Sequence, residues 1–300
     1  MDNNTAMNFD PDSQRKTGSL LVLGAAVLWG TTGTAQALAP ESATPLVVGA
    51  IRMAIGGAAL LVIALARGAF SQSQGIWSLK AIALGGLGLA AYQITFFSGV
   101  ARTGVAIGTL VAIGSAPILA GLAETLIDRR PPGKYWGIAT LMGILGAALL
   151  VTSGSSLSLD LAGMALAIGA GGSYALYTLA SKRLLRHHSP DAAMAVVFCL
   201  AGVLMAPVFL TQPTAWMGET RGWLVALHLG LITTALAYVL YGRGLKETSV
   251  SSTVTLSLAE PLTAALLGVF FLGEPFTLQA VAGAALIFLG LLLLTRGPSS

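Results

Sequence analysis

Residues 109–146, TLVAIGSAPILAGLAETLIDRRPPGKYWGIATLMGILG, return in altered form at 253–290, TVTLSLAEPLTAALLGVFFLGEPFTLQAVAGAALIFLG. At this shift of 144, Thr109, Pro117, Ala120, Leu122, Pro131, Leu145 and Gly146 fall on Thr253, Pro261, Ala264, Leu266, Pro275, Leu289 and Gly290. Toward the N terminus a shift of 145 lays the segment with Trp29 on that with Tyr174, Pro45 on Pro190, and Gly57 on Gly202. The chain therefore reads as a duplication, with ten apolar stretches in two sets of five. An odd number of crossings per copy puts the second copy into the membrane upside down, the inverted-repeat architecture of secondary transporters with a central substrate site.

Composition points to the same solvent. The chain is 55% hydrophobic and 9% charged, with mean hydropathy +0.81, whereas a soluble domain carries about 25% charged residues. Charges gather between the apolar runs, so lipid rather than a protein core surrounds most side chains. The net charge of +4 then reports topology, and no nucleic-acid partner is expected. The single cysteine, Cys199, excludes an internal disulfide or a cysteine metal cluster. No cofactor or metal is expected.

The spacing predicts helices at 18–39, 45–66, 79–99, 104–127, 134–152, 160–182, 191–211, 222–242, 250–272 and 277–295. Each is about 20 residues, enough for a hydrocarbon core of roughly 30 Å. The first has the look of a signal peptide at Ala37-Leu38-Ala39, but its length and Pro40 mark it as a retained helix. Residues 1–16 are expected to be disordered and cytoplasmic, 17–154 to form the first five-helix repeat, and 158–296 the second, inverted one. Of the 16 Lys and Arg, 13 fall on one side, two (Arg102 and Arg221) on the other, and Arg52 lies inside a helix. This bias places both termini in the cytoplasm. It also argues against dual topology, so one chain holds both halves and is expected to work as a monomer. Gly104 with Gly108, and Gly133 with Gly137, stand at the spacing that lets membrane helices approach closely.

Leu28-Trp29-Gly30-Thr31, Gly49-Ala50-Ile51-Arg52 and the twice-used pair Ala116-Pro117-Ile118-Leu119-Ala120 and Ala259-Glu260-Pro261-Leu262-Thr263-Ala264 carry a resemblance to a known family. With Leu272-Gly273-Glu274-Pro275, they resemble the EamA-type carriers of the drug/metabolite transporter superfamily over Gly18 to Leu294, closest to the branch that exports amino acids, aromatic ones included. The resemblance implies a ten-helix basket in which helices 1 to 4 and 6 to 9 surround a cavity, with helices 5 and 10 outside. Arg129 and Arg130 stand opposite Gly273 and Glu274, so the Gly-Glu element occurs only in the second half.

Polar residues within membrane helices are costly and usually face the bundle interior. Thr253, Ser257 and Glu260 share one face of helix 9; Thr234, Tyr238 and Tyr241 share one of helix 8; Trp29, Thr32 and Gln36 nearly share one of helix 1; Tyr174, Thr178 and Ser181 lie on helix 6, and Tyr92 and Gln93 on helix 3. The candidate cavity residues are Trp29, Thr32, Gln36, Tyr92, Gln93, Tyr174, Thr178, Tyr238, Ser257 and Glu260. Aromatic faces with a few hydroxyls and amides suit a small amphipathic solute. Glu260 reads either as a ligand for an ammonium group or a coupling proton, or as a neutral structural carboxyl. Pro117 and Pro261 are candidate hinges. Other residues read first as structural, each with a functional alternative: Tyr241 as an interfacial anchor or a pocket residue, Arg52 as snorkelling outward or toward Glu41 or as a ligand for a substrate carboxylate, Glu124 as pairing with Arg129 or Lys182 or as a gate contact, and His228 as packing or titrating; His187 and His188 read as solvated loop.

The expected function is export of amino acids or related metabolites across a bacterial inner membrane by alternating access, with the solute and the bilayer as partners. A multidrug or nucleotide-sugar exchanger is the alternative within transport, although helix 1 lacks the acidic residue expected of a cation-extruding pump. No phosphate-binding loop, zinc-protease motif or nucleophile elbow occurs, which disfavours ATP use and an intramembrane enzyme.

Overall fold

The computed structural model describes residues 11–129, 131–152, 160–273 and 277–296; Arg130, Glu274 and Pro275 lie outside the described residues. All regular elements among the described residues are helical. The first helix, α1, spans Pro11–Ala37 and starts earlier than the sequence predicts, so residues 11–16 are helical rather than disordered. Proline at the start and Asp12 in the first turn favour a helix N-terminus. The hydroxyls of Thr17 and Ser19 donate to the carbonyls of Ser13 and Arg15, both at 3.0 Å.

Helix α2 is Pro45–Ala66. Predicted helices 3 and 4 are one run, α3, Leu79–Asp128. A straight helix of its 50 residues would reach roughly 75 Å, more than twice a hydrocarbon core. It reverses instead at Gly104, whose φ of 80° and ψ of 162° are open to glycine and closed to other residues. A Cβ on Gly108 would lie 2.8 Å from Val100 Cα, whereas a straight helix separates such positions by roughly 12 Å. The outgoing leg, Leu79–Val105, and the return leg, Ile107–Ile127, are separate apolar spans joined without a loop.

Helices α4 (Lys134–Thr152), α5 (Leu161–Leu184), α6 (Pro190–Met205) and α7 (Val208–Thr211) follow. Asp160 caps α5 by accepting from Gly163 N at 2.6 Å. Predicted helix 8 is composite: α8 (Thr220–Leu227), a π-helical segment (His228–Leu236) and α9 (Ala237–Glu247). Predicted helix 9 is α10 (Val250–Leu256) and α11 (Ala259–Leu272), and α12 (Leu278–Arg296) ends the bundle. Among the described residues, nine helical stretches are long and apolar enough to cross a membrane. The exception is α5, which ends in Thr178, Ser181, Lys182 and Arg183 and packs along both legs of α3.

The contacts repeat with the halves exchanged. Helices α2 and α6 are repeat equivalents packed on each other, as are α4 and α12. Helix α5 packs on α3, while its equivalent α1 packs on α9 and α11. Single glycines follow this rule. A Cβ on Gly146 would meet Gly283 O at 2.6 Å, and one on its equivalent Gly290 would meet Ala139 O at 3.0 Å. A Cβ on Gly18 would lie 3.1 Å from Gly244 O, and one on its equivalent Gly163 would lie 3.3 Å from Gly99 O. Thr248 donates to Gly244 O at 2.8 Å, and its equivalent Thr103 to Gly99 O at 2.9 Å. Small residues here allow close backbone approach, on which association in lipid depends. Leu61, Val62, Leu126, Phe270 and Phe271 stand exposed on the outside, as lipid-facing side chains do.

Candidate central cavity

Pro261 shapes the site. It has no N–H, so the Ser257 carbonyl lacks its usual donor; Glu260 N donates to it instead at 3.0 Å, and Leu258 N donates to Thr255 O at 3.0 Å. These tighter turns break the helix between α10 and α11. In the first half the return leg of α3 runs on through Pro117 without such a break.

The break brings Ser257 and Glu260 to a cavity of about 80 Å³. Trp29, Thr32, Tyr92, Gln93, Tyr174 and Tyr238 line it with them, and Leu89, Ala112, Ile113, Ala116, Val254 and Leu258 complete the apolar wall. Four pairs of repeat-equivalent positions face one another here: Trp29 with Tyr174, Gln93 with Tyr238, Ile113 with Ser257, and Ala116 with Glu260. The cavity therefore sits where the two halves exchange. Trp29 packs on Tyr238 and Tyr241 at ring separations of 5.0 and 5.3 Å, and Tyr174 on Tyr92 at 5.9 Å.

Two predicted residues lie elsewhere. Gln36 is further along α1, and Thr178 is buried below the cavity, where its hydroxyl meets that of Tyr241 at 2.7 Å. One lining residue, Arg52, points into the cavity instead of outward. A single helical position gives no sign of direction, and its repeat counterpart, Val197, supplies none.

Hydrogen bonding in the cavity is incomplete. Trp29 Nε1, Arg52 Nε and Gln93 Nε2 are buried without partners. Among the described residues Glu260 and Arg52 make no ion pair, although both line the cavity. Buried polar groups are normally paired, so a concentration of unpaired ones marks a place where something else supplies the partner.

Toward the basic end the cavity is closed. The hydroxyls of Tyr174 and Ser257 meet at 2.9 Å, and those of Thr248 and Thr253 at 2.6 Å. Lys182 donates to the carbonyls of Leu245, Lys246 and Thr248 at 2.8, 2.9 and 2.8 Å, satisfying the C-terminus of α9. The Glu124 carboxylate accepts from the backbone N–H groups of Val250 and Ser251 at 3.1 and 3.0 Å, satisfying the N-terminus of α10. Glu124 thus binds backbone, not Arg129 or Lys182. Tyr241 is fully buried in this layer and is not an interfacial anchor. The repeat counterparts of Lys182 and Glu124 are Ala37 and Gly268; at the opposite end Arg221 Nε donates to the Leu38 carbonyl just past α1, and Arg102 pairs with Asp160 at 3.4 Å.

His188 is 4% exposed and stacked on Trp77 at 3.7 Å rather than solvated, because the loop folds it onto α2's basic end. His228 meets the Thr31 hydroxyl at 2.9 Å.

The model of the EamA-like transporter family matches residues 16–152 and again 161–296. The "Uncharacterized transporter YwfM" of Bacillus subtilis strain 168 is 46% identical over 281 residues, 93% of this chain and 94% of the relative. The "Threonine/homoserine exporter RhtA" of Escherichia coli strain K12 is 30% identical over 275 residues, 89% of this chain and 88% of the relative. A solved crystal structure at 24% identity superposes with a TM-score of 0.80, covering 92% of this chain and 95% of that one, a likeness of fold. Matched through both halves, this multi-pass membrane protein belongs to the EamA-like transporter family.

Proposed function

We propose that the protein exports small amino acids through its central cavity by alternating access. It crosses the bacterial inner membrane ten times, with both termini cytoplasmic and the second five-helix repeat inverted. The observation that carries this reading is a cavity on the exchange axis whose unpaired donors, on Trp29, Arg52 and Gln93, share the space with the Glu260 carboxylate, which makes no ion pair among the described residues. Its volume of about 80 Å³ corresponds to on the order of 5–8 water-sized centres. A space of that order suits a small solute rather than a bulky one. The name of the RhtA relative, a threonine/homoserine exporter, supports the same substrate class.

Support for the inversion comes from the matched corners. Gly18 and Gly244 meet beside Arg15, Lys16 and Lys246, whereas Gly163 and Gly99 meet beside Arg102 and Asp160. The same packing thus occurs once at the basic end and once at the other. Counting α5 as a crossing gives the ten that this alternation needs. The arrangement is closed toward the cytoplasm by Glu124 and Lys182, and the break at Pro261 is the place where α10 and α11 move to open it. One chain contains both halves, so the monomer suffices.

Counterflow in liposomes tests the reading. Vesicles containing the purified protein and loaded with unlabelled amino acid should take up the same labelled amino acid transiently and saturably. Folded protein that exchanges no amino acid, and instead exchanges drugs or nucleotide-linked metabolites, would overturn it.

A further inference from the structure

We propose that Arg52 and Glu260 form a two-point clamp for the zwitterionic head of an α-amino acid, Arg52 taking the carboxylate with help from Gln93 and Trp29, and Glu260 the ammonium group. The inference rests on the amino-acid reading above and specifies the site's chemistry. Arg52 belongs to α2 and Glu260 to α11, on opposite halves of the duplication. Both side chains line the cavity, yet no ion pair joins them among the described residues. Ionised groups deep in a membrane protein ordinarily pair with each other or with the backbone, because leaving them unpaired is costly. Opposite charges that share a cavity without touching leave room for a ligand that carries both signs.

The donors are disposed to match. Guanidinium presents a planar fork that holds a carboxylate by parallel N–H bonds. Trp29 Nε1, Arg52 Nε and Gln93 Nε2 are buried and unpartnered, so three side chains offer N–H groups to an anionic oxygen. Glu260 accepts only, as an ammonium group requires. Packing does not call for these charges. The repeat-equivalent positions hold Val197 and Ala116, and Ala116 lines the same cavity. The duplicated scaffold is filled there by apolar side chains, and each charge occurs on one side alone. The resulting polarity gives the bound solute one orientation.

Competition against labelled L-threonine counterflow tests the clamp. The competitors are unlabelled L-threonine, its primary amide, which has the ammonium group and no carboxylate, and the 2-hydroxy acid with the same side chain, which has the carboxylate and no ammonium group. Wild-type protein should bind both analogues roughly 10- to 100-fold more weakly than threonine, the loss expected for one charge-assisted contact. In Arg52→Gln, threonine should fall to the level of the amide while the amide is unchanged, and Arg52→Lys should regain part of the preference. In Glu260→Gln, threonine should fall to the level of the hydroxy acid. Wild-type protein that accepts the amide or the hydroxy acid as well as threonine would overturn the clamp without any variant. So would a folded Arg52→Gln protein that still prefers threonine to the amide by the wild-type ratio. Absence of exchange for every amino acid would remove the amino-acid reading itself, and the clamp with it.

Discussion

Replacing Glu124 by Gln probes the closure of the basic end. The carboxylate accepts two backbone N–H groups at the start of α10, from Val250 at 3.1 Å and Ser251 at 3.0 Å. A glutamine amide fills the same space but has one acceptor oxygen, so one of these bonds and the favourable charge at the helix N-terminus are lost. A hydrogen bond to a charged group contributes about 1.5–3 kcal/mol, and the charge at the helix end about 0.3–1 kcal/mol. Glu124 is half-buried, and solvent screening reduces the sum to about 1–3 kcal/mol. The ratio of closed to open protein should then fall by roughly 5- to 150-fold. The assay places a reporter thiol in the cavity, Thr32→Cys, in a Cys199→Ala background so that no other thiol is present. Alkylation by a membrane-impermeant maleimide added from the basic face should accelerate by that factor in Glu124→Gln. A labelling rate within about twofold of the parent would show that closure does not depend on this carboxylate.

Packing and the basic rim respond to single substitutions as well. Gly146→Val drives a side chain into Gly283 O, 2.6 Å from the Cβ position, and should destabilise the α4–α12 contact by about 1–3 kcal/mol; because neither helix lines the cavity, the melting temperature should drop while KM stays unchanged. Asp191 is 7% exposed and holds both Arg67 and Arg243 at 3.0 Å. Asp191→Asn should cost about 1–3 kcal/mol, a partial loss because the two arginines are half in solvent, measurable by thermal unfolding in detergent. Burial, with His187 beside it, holds His188 below the ordinary imidazole range. The folded protein therefore takes up a proton there less readily than the unfolded chain, and stability should fall as pH drops below about 6.5. His188→Gln should flatten that part of the pH–stability curve, and an unchanged curve would count against the assignment.

The helices and the duplication were legible because apolar run length and repeat offset depend on the bilayer and on chain pairing, both of which leave plain traces in the sequence. Eight of the ten candidate residues line the cavity, since helical phase selects a face. Phase says nothing of depth, and so Thr178 lies below the cavity and Gln36 outside it. Nor does it signal where a helix breaks. The turn between the stretches expected at 79–99 and 104–127 falls at Gly104, next to the interruption that Arg102 marks, whereas the π-helical segment His228–Leu236 has no compositional mark. The direction of a long side chain is set by tertiary neighbours alone. Arg52 read as outward-reaching ahead of a carboxylate ligand for that reason, and Tyr241, two residues from Arg243 and so on the other side of the helix in the core, read as an interfacial residue. Glu124 illustrates the same limit, because its partners are backbone groups 126 and 127 residues away and any residue type leaves those groups in place.

The most direct test of the central claim is a structure of the protein at saturating L-threonine. Density for one amino acid is expected in the cavity between Trp29, Arg52, Tyr174 and Glu260, with its carboxylate toward Arg52 and its ammonium group toward Glu260. Protein that transports threonine yet binds it outside this cavity would contradict the account.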